Sequence, residues 1–260
     1  MSNRQYIQNA IENGYDFKIG DYFSRGWEYF KLKPLEYVGY ATLVIVITLV
    51  LSIIPIIGTI ASLIISPALT VGALIFTNML ARNENPEFGN FFDGFKKLTP
   101  LLVAYLLTLV IYAIIFIPFL LIVGVSVISE FAAAGDDPEA MVDNFQTLAS
   151  MGIWIFIFAL ILLYVAVSLR WVLHLVYFHQ YDAVEAIKTS WKLTNKKWLH
   201  HLGFVLLGGF FMFLGALALV VGILVAIPFF YAADLAGYAD VTGLNAEDEL
   251  DNLGQTEDTV

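Results

Sequence analysis

Apolar residues fall in six runs, at about 38–54, 59–80, 99–126, 150–178, 200–220 and 222–239. A helix needs roughly 20 residues to cross about 30 Å of hydrocarbon, and each run comes close to that length. The pattern predicts an all-α integral membrane protein with six transmembrane helices. Residues 1–244 would form a single polytopic domain and 245–260 an acidic, disordered cytoplasmic tail. The last two runs are the ambiguous pair, since no charge occurs between Leu202 and Ala233. A repeat decides for two spans. "GWEYFKLKPLEYVG" at 26–39 returns as "SWKLTNKKWLHHLG" at 190–203, matching Trp27 to Trp191, Lys33 to Lys197, Leu35 to Leu199 and Gly39 to Gly203. The same ungapped register sets Gly58 on Gly222. Pro55 and Gly58 mark a tight turn between the first two spans, so a second turn is predicted at Gly222.

The polar stretches before the spans have a helical period of their own. Ile19, Tyr22, Phe23, Trp27 and Phe30 form one stripe, opposite Lys18, Asp21, Arg25, Glu28 and Lys31. Val184, Ile187, Trp191, Thr194 and Trp198 repeat that phase. A weaker copy, "NPEFGNFFDGFKKLTP", places Phe88, Phe91, Phe92, Phe95 and Leu98 on one face, with Asn85 as its expected cap and Pro86 in its first turn. Aromatic residues on one face and bases on the other predict three amphipathic helices lying at the cytoplasmic interface. Trp27, Phe95, Trp191 and Trp198 would be the interfacial anchors. The chain then reads as a pseudo-repeat of surface helix plus helical hairpin; the simpler alternative is three ordinary juxtamembrane anchors, alike because they meet the same demands. The segment 129–147, with five acids and no base, is expected as a solvated external loop with a helical turn or two after Pro138.

Composition and charge refine the picture. With 59% apolar and 14% charged residues the chain lies outside the soluble range. Its mean hydropathy of +0.78 agrees. The net charge of -10 is misleading, because seven of the 23 acids follow residue 239. Twelve of the 13 bases fall before span one, between spans two and three, or between spans four and five. The positive-inside rule makes that side cytoplasmic and predicts both termini on it. Anionic membrane lipids are the expected partners. A protein partner or a homo-oligomer is left open, and a nucleic-acid partner is not expected. Cysteine is absent, which excludes disulfides and thiolate chemistry. The first 36 residues lack the apolar core of a cleavable signal peptide.

Candidate chemistry is sparse. No G-x-S-x-G, H-E-x-x-H, phosphate-cradling glycine loop or EF-hand loop occurs, so no catalytic, cofactor-binding or metal-ligating residue is assigned. Of the four histidines, His174, His179, His200 and His201, the last two are expected as polar anchors among headgroups. Trp154 and Trp171 lie 17 residues apart, about 25 Å along a helix, and are expected to mark two interfaces. Two charges remain within the spans, Arg170 and Asp234. A lone charge at the bilayer centre costs about 3 kcal/mol or more, so the two are predicted to pair and join span four to span six. Gly58 with Ser62, Ala68 with Gly72, and Gly208 with Gly209 and Gly215 suit close helix packing.

The run "DAVEAIKTSWKLTNKKW", carrying Ala186, Ser190, Trp191 and Asn195, precedes a Gly-rich hairpin and then "IPFFYAADLAGY", with Pro228 and Tyr231. In these features the chain resembles a broad group of bacterial polytopic membrane proteins that includes the membrane domain of glycerophosphoryl diester phosphodiesterases. The resemblance implies a six-span, multi-pass protein of the bacterial plasma (inner) membrane with no assigned activity. The phosphodiesterase catalytic sequence is missing from this chain, so no catalytic residue carries over. The expected function is a non-enzymatic membrane-organising or partner- and lipid-binding protein. A small transporter or permease with a polar cavity near Asp234 and Arg170 is the competing reading.

Overall fold

A computed structural model describes residues 3–134 and 138–246. The acidic tail from Glu247 onward lies outside the described residues. The chain forms α1 (Asn3–Asn13), α2 (Ile19–Leu32), α3 (Pro34–Ile53), α4 (Ile57–Ala81), a 3-10 helix (Phe88–Lys97), α5 (Leu98–Ala134), α6 (Pro138–Leu169), α7 (Val172–Phe178), α8 (Ala183–Asn195), α9 (Trp198–Leu217) and α10 (Leu219–Thr242). No strand occurs among the described residues. Six segments are long and apolar enough to cross a membrane: Pro34–Ile53, Ile57–Ala81, Phe88–Val125, Gly152–Phe178, Trp198–Leu217 and Val221–Thr242. Backbone hydrogen bonds within each helix satisfy the peptide groups that hydrocarbon cannot.

Several elements differ from the sequence expectations for local reasons. The 200–239 stretch is two helices, but its break falls at Ala218 and not at Gly222. Gly222 instead lies in the first turn of α10, where a Cβ would stand 2.3 Å from the Gly215 carbonyl oxygen. Its role is close approach between the two arms. Gly58 does the same in the α3–α4 hairpin, with Leu51 O 1.8 Å from a would-be Cβ. The segment expected as the third amphipathic helix is a 3-10 helix capped by Glu87 and not by Asn85, because the Asn90 side chain accepts from Glu87 N at 2.8 Å. Most of the expected 129–147 loop is helical, as extensions of α5 and α6, with 135–137 outside the described residues. The fourth apolar run is broken at Arg170–Trp171 into α6 and α7. The N-terminal helix α1 has no apolar stripe long enough to have been read.

The chain divides into two compact units, Met1–Tyr105 with Ser168–Val260, and Leu106–Val167. In the smaller unit α5 and α6 pack through Phe119 and Phe158, stacked with ring centroids 3.7 Å apart. In the larger unit the core at the α3–α4 hairpin is aromatic. Phe91 of the 3-10 helix lies between Phe76 and Tyr40, with centroids 3.9 and 4.2 Å away. Tyr37 donates to Thr77 Oγ1 at 2.6 Å, and Thr77 passes its own proton to Ala73 O at 2.7 Å. The buried hydroxyls thus have partners.

The stripe on α2 turns into the protein. Tyr22, Phe23, Gly26 and Phe30 are buried. Phe23 stacks on Phe204, and Gly26 sits where a Cβ would come 2.5 Å from Ala233 N of α10. Trp27 remains 44% exposed. Overpacking a tight contact costs about 1–3 kcal/mol. Gly26→Leu is therefore expected to lower the detergent unfolding temperature, whereas Gly20→Leu, which meets nothing within 4 Å, leaves it unchanged or raises it. Equal effects of the two substitutions would show that α2 is not seated on α10.

Candidate functional site

The break between α6 and α7 builds a buried polar site. In an unbroken helix neighbouring residues point about 100° apart and cannot share one partner. Here the turn at Arg170 and Trp171 aims both side chains at Asp234 of α10. Arg170 Nη2 donates to Asp234 Oδ1, and Trp171 Nε1 donates to the same oxygen at 3.2 Å. His174, in the first turn of α7, places Nε2 3.3 Å from Asp234 Oδ2. That contact forms an ion pair when the ring is protonated but is off-line for a hydrogen bond; both His174 ring nitrogens lack a hydrogen-bond partner.

The break also frees carbonyls at the end of α6, which hydrocarbon would leave unsatisfied. Ser168 O is one of them. Ser190 Oγ donates to it at 2.9 Å, and Thr194 Oγ1 lies 3.0 Å away with its one proton shared between Ser168 O and Ser190 O, the latter at 2.8 Å. These hydroxyls are four residues apart on α8, hence on one face. Asp182 caps α8 by accepting from Glu185 N at 2.9 Å, which sets where that face begins.

A second arm holds the arginine. Arg170 Nη1 lies 3.3 Å from His201 Nδ1, and His201 Nε2 lies 2.7 Å from Tyr15 OH. Tyr15 gives its single proton to Leu193 O at 2.8 Å, so Nε2–H donates to Tyr15 and Nδ1 accepts from Arg170. The hydrogen-bond logic assigns the neutral tautomer. The guanidinium also lies 4.4 Å from the Phe204 ring centre. Burial raises the Tyr15 hydroxyl well above its ordinary pKa, so it stays protonated at neutral pH.

The site is filled. The Arg170 and Asp234 side chains are each 9% exposed, and Trp171 and His201 are fully buried. Two readings from sequence alone are corrected: Trp171 is no interfacial marker, because it spends its N–H on Asp234, and His201 is no headgroup anchor, because Tyr15 and Arg170 enclose it. His200 is exposed. Of the interfacial anchors, Trp27 lies on α2, Phe95 on the 3-10 helix with 37% exposure, and Trp191 and Trp198, both half-buried, on α8 and at the start of α9. Sequence reasoning missed Tyr15, His174 and Tyr238. The available signal was spacing, since His174 lies four residues after Arg170 and Tyr238 four after Asp234. Among the described residues no group of three or more His, Asp or Glu side chains converges as a metal site.

The model of the membrane domain of glycerophosphoryl diester phosphodiesterase matches residues 29–239. The chain belongs to this family. The match runs from the end of α2 to Ala239 in the last turns of α10 and contains Arg170, Trp171, His174, His201 and Asp234; α1 and Tyr15 lie outside it. No curated protein and no solved structure matches the chain. The matched family is a membrane domain, and no catalytic-domain family was found alongside it. Family and six apolar helices together make the chain a multi-pass integral membrane protein.

Within this membrane domain, breaking a buried ion pair by removing one partner costs about 3–5 kcal/mol. Arg170→Met and Asp234→Leu are each expected to destabilise by that order. The double variant should lose clearly less than the sum, as read by thermal unfolding in detergent; additive losses would show that the two groups do not interact energetically.

His179, just past the last residue of α7, adds a pH dependence. Its Nδ1 lies 2.6 Å from Tyr238 OH, and Nε2 is buried without a partner. Burial, with smaller contributions from Arg4 and His174, lowers its pKa from 6.5 to about 4. The unfolded chain therefore binds the proton more readily between those values. The stabilisation is complete above pH 6.5 and is lost as pH falls toward 4, by about 3 kcal/mol. His179→Gln should flatten unfolding temperature against pH in that window.

Proposed function

We propose that the protein is a non-enzymatic organiser of the bacterial plasma membrane that gathers anionic lipid at its cytoplasmic face and offers that face to a protein partner. The observation that carries this reading is the helix α8. Ala186, Thr189, Ser190, Leu193 and Thr194 are buried, while Lys188, Lys192 and Lys196 are exposed at four-residue spacing. A fixed row of bases therefore stands beside the spanning helices. Each base near an anionic surface is worth about 1 kcal/mol, so the row amounts to about 3 kcal/mol, roughly a hundredfold in local lipid enrichment. Both termini would be cytoplasmic, as the distribution of bases indicates.

The pseudo-repeat belongs to the same reading and is supported by an order of contacts. Gly26 of α2 seats on Ala233 of α10, Gly94 of the 3-10 helix on Ala68 of α4, and Ser190 of α8 on Ser168 of α6. Each amphipathic segment thus docks a small residue on the second helix of the preceding hairpin, and α2 closes the cycle on the last. A transporter needs a hydrated path to its charged groups, and the filled surroundings of Asp234 favour the organiser over that alternative.

The test is lipid analysis of the full chain purified in mild detergent from mixed phosphatidylethanolamine and phosphatidylglycerol membranes. Phosphatidylglycerol is expected to be enriched over its bulk share, and the Lys188→Gln, Lys192→Gln, Lys196→Gln triple variant should lose the enrichment. Equal recovery of both lipids, or solute flux in proteoliposomes that Asp234→Asn abolishes, would overturn the reading.

A further inference from the structure

The larger unit holds a cavity of about 230 Å³ between α3, α4 and α10; its lining includes Tyr231, one turn before Asp234, but neither Asp234 nor Arg170. Tyr40, Ala41, Leu69 and Ala73 close one end and are buried; at the other, Thr48 of α3 is exposed. All three walls belong to segments apolar and long enough to span the membrane, so the open end faces hydrocarbon.

The wall carries five hydroxyls, which would ordinarily suggest water. Three already have partners in the protein: Tyr40 donates to Leu69 O at 2.6 Å, Thr48 to Val44 O at 2.8 Å and Ser66 to Ser62 O at 2.5 Å. That leaves Thr70 and Tyr231 on the wall. A trapped water needs two to four polar partners, so two hydroxyls serve one water at most and cannot hold a cavity full of them. What the cavity offers is dispersion contact with Val44, Ile45, Leu69, Ala73, Ile227 and Pro228. Its volume exceeds the roughly 150 Å³ of an apolar cavity that holds benzene, so it has room for a chain end of more than about six carbons.

We propose that this cavity is an acyl-chain site, occupied by the terminal part of one fatty-acid tail of a bilayer phospholipid that enters past Thr48. A mostly apolar pocket within the spanning segments, with three of its five hydroxyls spent on backbone carbonyls, selects a flexible apolar chain over an ion or a polar solute. The assignment rests on the reading of the protein as a lipid organiser and names the part of the lipid that is gripped. Bases gather the headgroup, and the cavity retains the tail.

The test reconstitutes the full chain in phosphatidylethanolamine vesicles containing phosphatidylglycerol with a diazirine at the end of one acyl chain, and maps the photo-adducts by peptide mass spectrometry. Adducts are expected at the blind end, on Leu69 and Ala73, as well as on Ile45 and Ile227. Thr48→Phe, which plugs the mouth at an exposed position, should reduce the blind-end adducts roughly tenfold. Leu49→Phe, on the outward face, should leave them unchanged. Labelling confined to Val46, Leu49 and Val50, or lowered equally by both variants, would overturn the site and leave only annular lipid. Loss of the cavity signal with phosphatidylglycerol enrichment intact defeats this assignment alone; loss of both defeats the organiser reading on which it rests.

Discussion

Hydrocarbon offers no hydrogen bond to a peptide group, so wherever a membrane helix breaks, the protein must supply the missing partner. The break at Arg170–Trp171 is the point on which the larger unit turns. It frees Ser168 O, which Ser190 and Thr194 satisfy from α8, and it aims two consecutive side chains at one carboxylate. Without α8 the α6 end would be left unsatisfied in an apolar medium. Without Asp234 the guanidinium would be a buried charge with no counter-ion. Helix termination, docking of the amphipathic segment and burial of the ion pair are therefore one structural solution.

Small residues set the second constraint. Lipid tails are as apolar as leucine, so helices associate in membranes through close packing more than through burial of apolar area. Gly26 against Ala233, Gly94 against Ala68 and Gly222 against Gly215 let backbones approach where any side chain would collide. Aromatic rings fill the spaces beside these contacts, as in the Phe76, Phe91 and Tyr40 stack. On α2 the buried face carries Tyr22, Phe23 and Phe30, whereas α8 buries Ala186, Thr189, Ser190, Leu193 and Thr194 and leaves Val184 exposed and Trp191 half-buried. Their bases are left outward, and that separation underlies the lipid-facing role proposed for α8.

Tyr22 shows how the same logic ties the N-terminal segment to the last helix. Its hydroxyl donates to Asp240 Oδ2 at 2.6 Å, and burial together with that carboxylate raises its pKa far above the ordinary tyrosine value. It stays a donor at any physiological pH. Tyr15 acts in the opposite sense, accepting from His201 Nε2 while it donates to Leu193 O. Both tyrosines precede the matched family region; Tyr15 bonds to His201 inside it, and Tyr22 bonds to Asp240, one residue past its end.

Much of the architecture was legible in one dimension because span length and hydropathy are local quantities. The bilayer alone demands about 20 apolar residues per crossing, and charge cost alone marks Arg170 and Asp234 as a pair in need of each other. The amphipathic period of α2 and α8 could be read for the same reason. What covers their apolar faces could not, since lipid and a neighbouring helix ask for the same residues. Nor could the break within the fourth run be seen, because Ser190 and Thr194, which make it tolerable, lie some twenty residues away in sequence. Trp171 and His201 read as interfacial by type, yet packing turned them inward, where each found a polar partner. Composition thus determined the solvent this chain folds in and the number of crossings; only the tertiary structure decided which helix ends and side chains satisfy one another, because those pairings depend on distance in space.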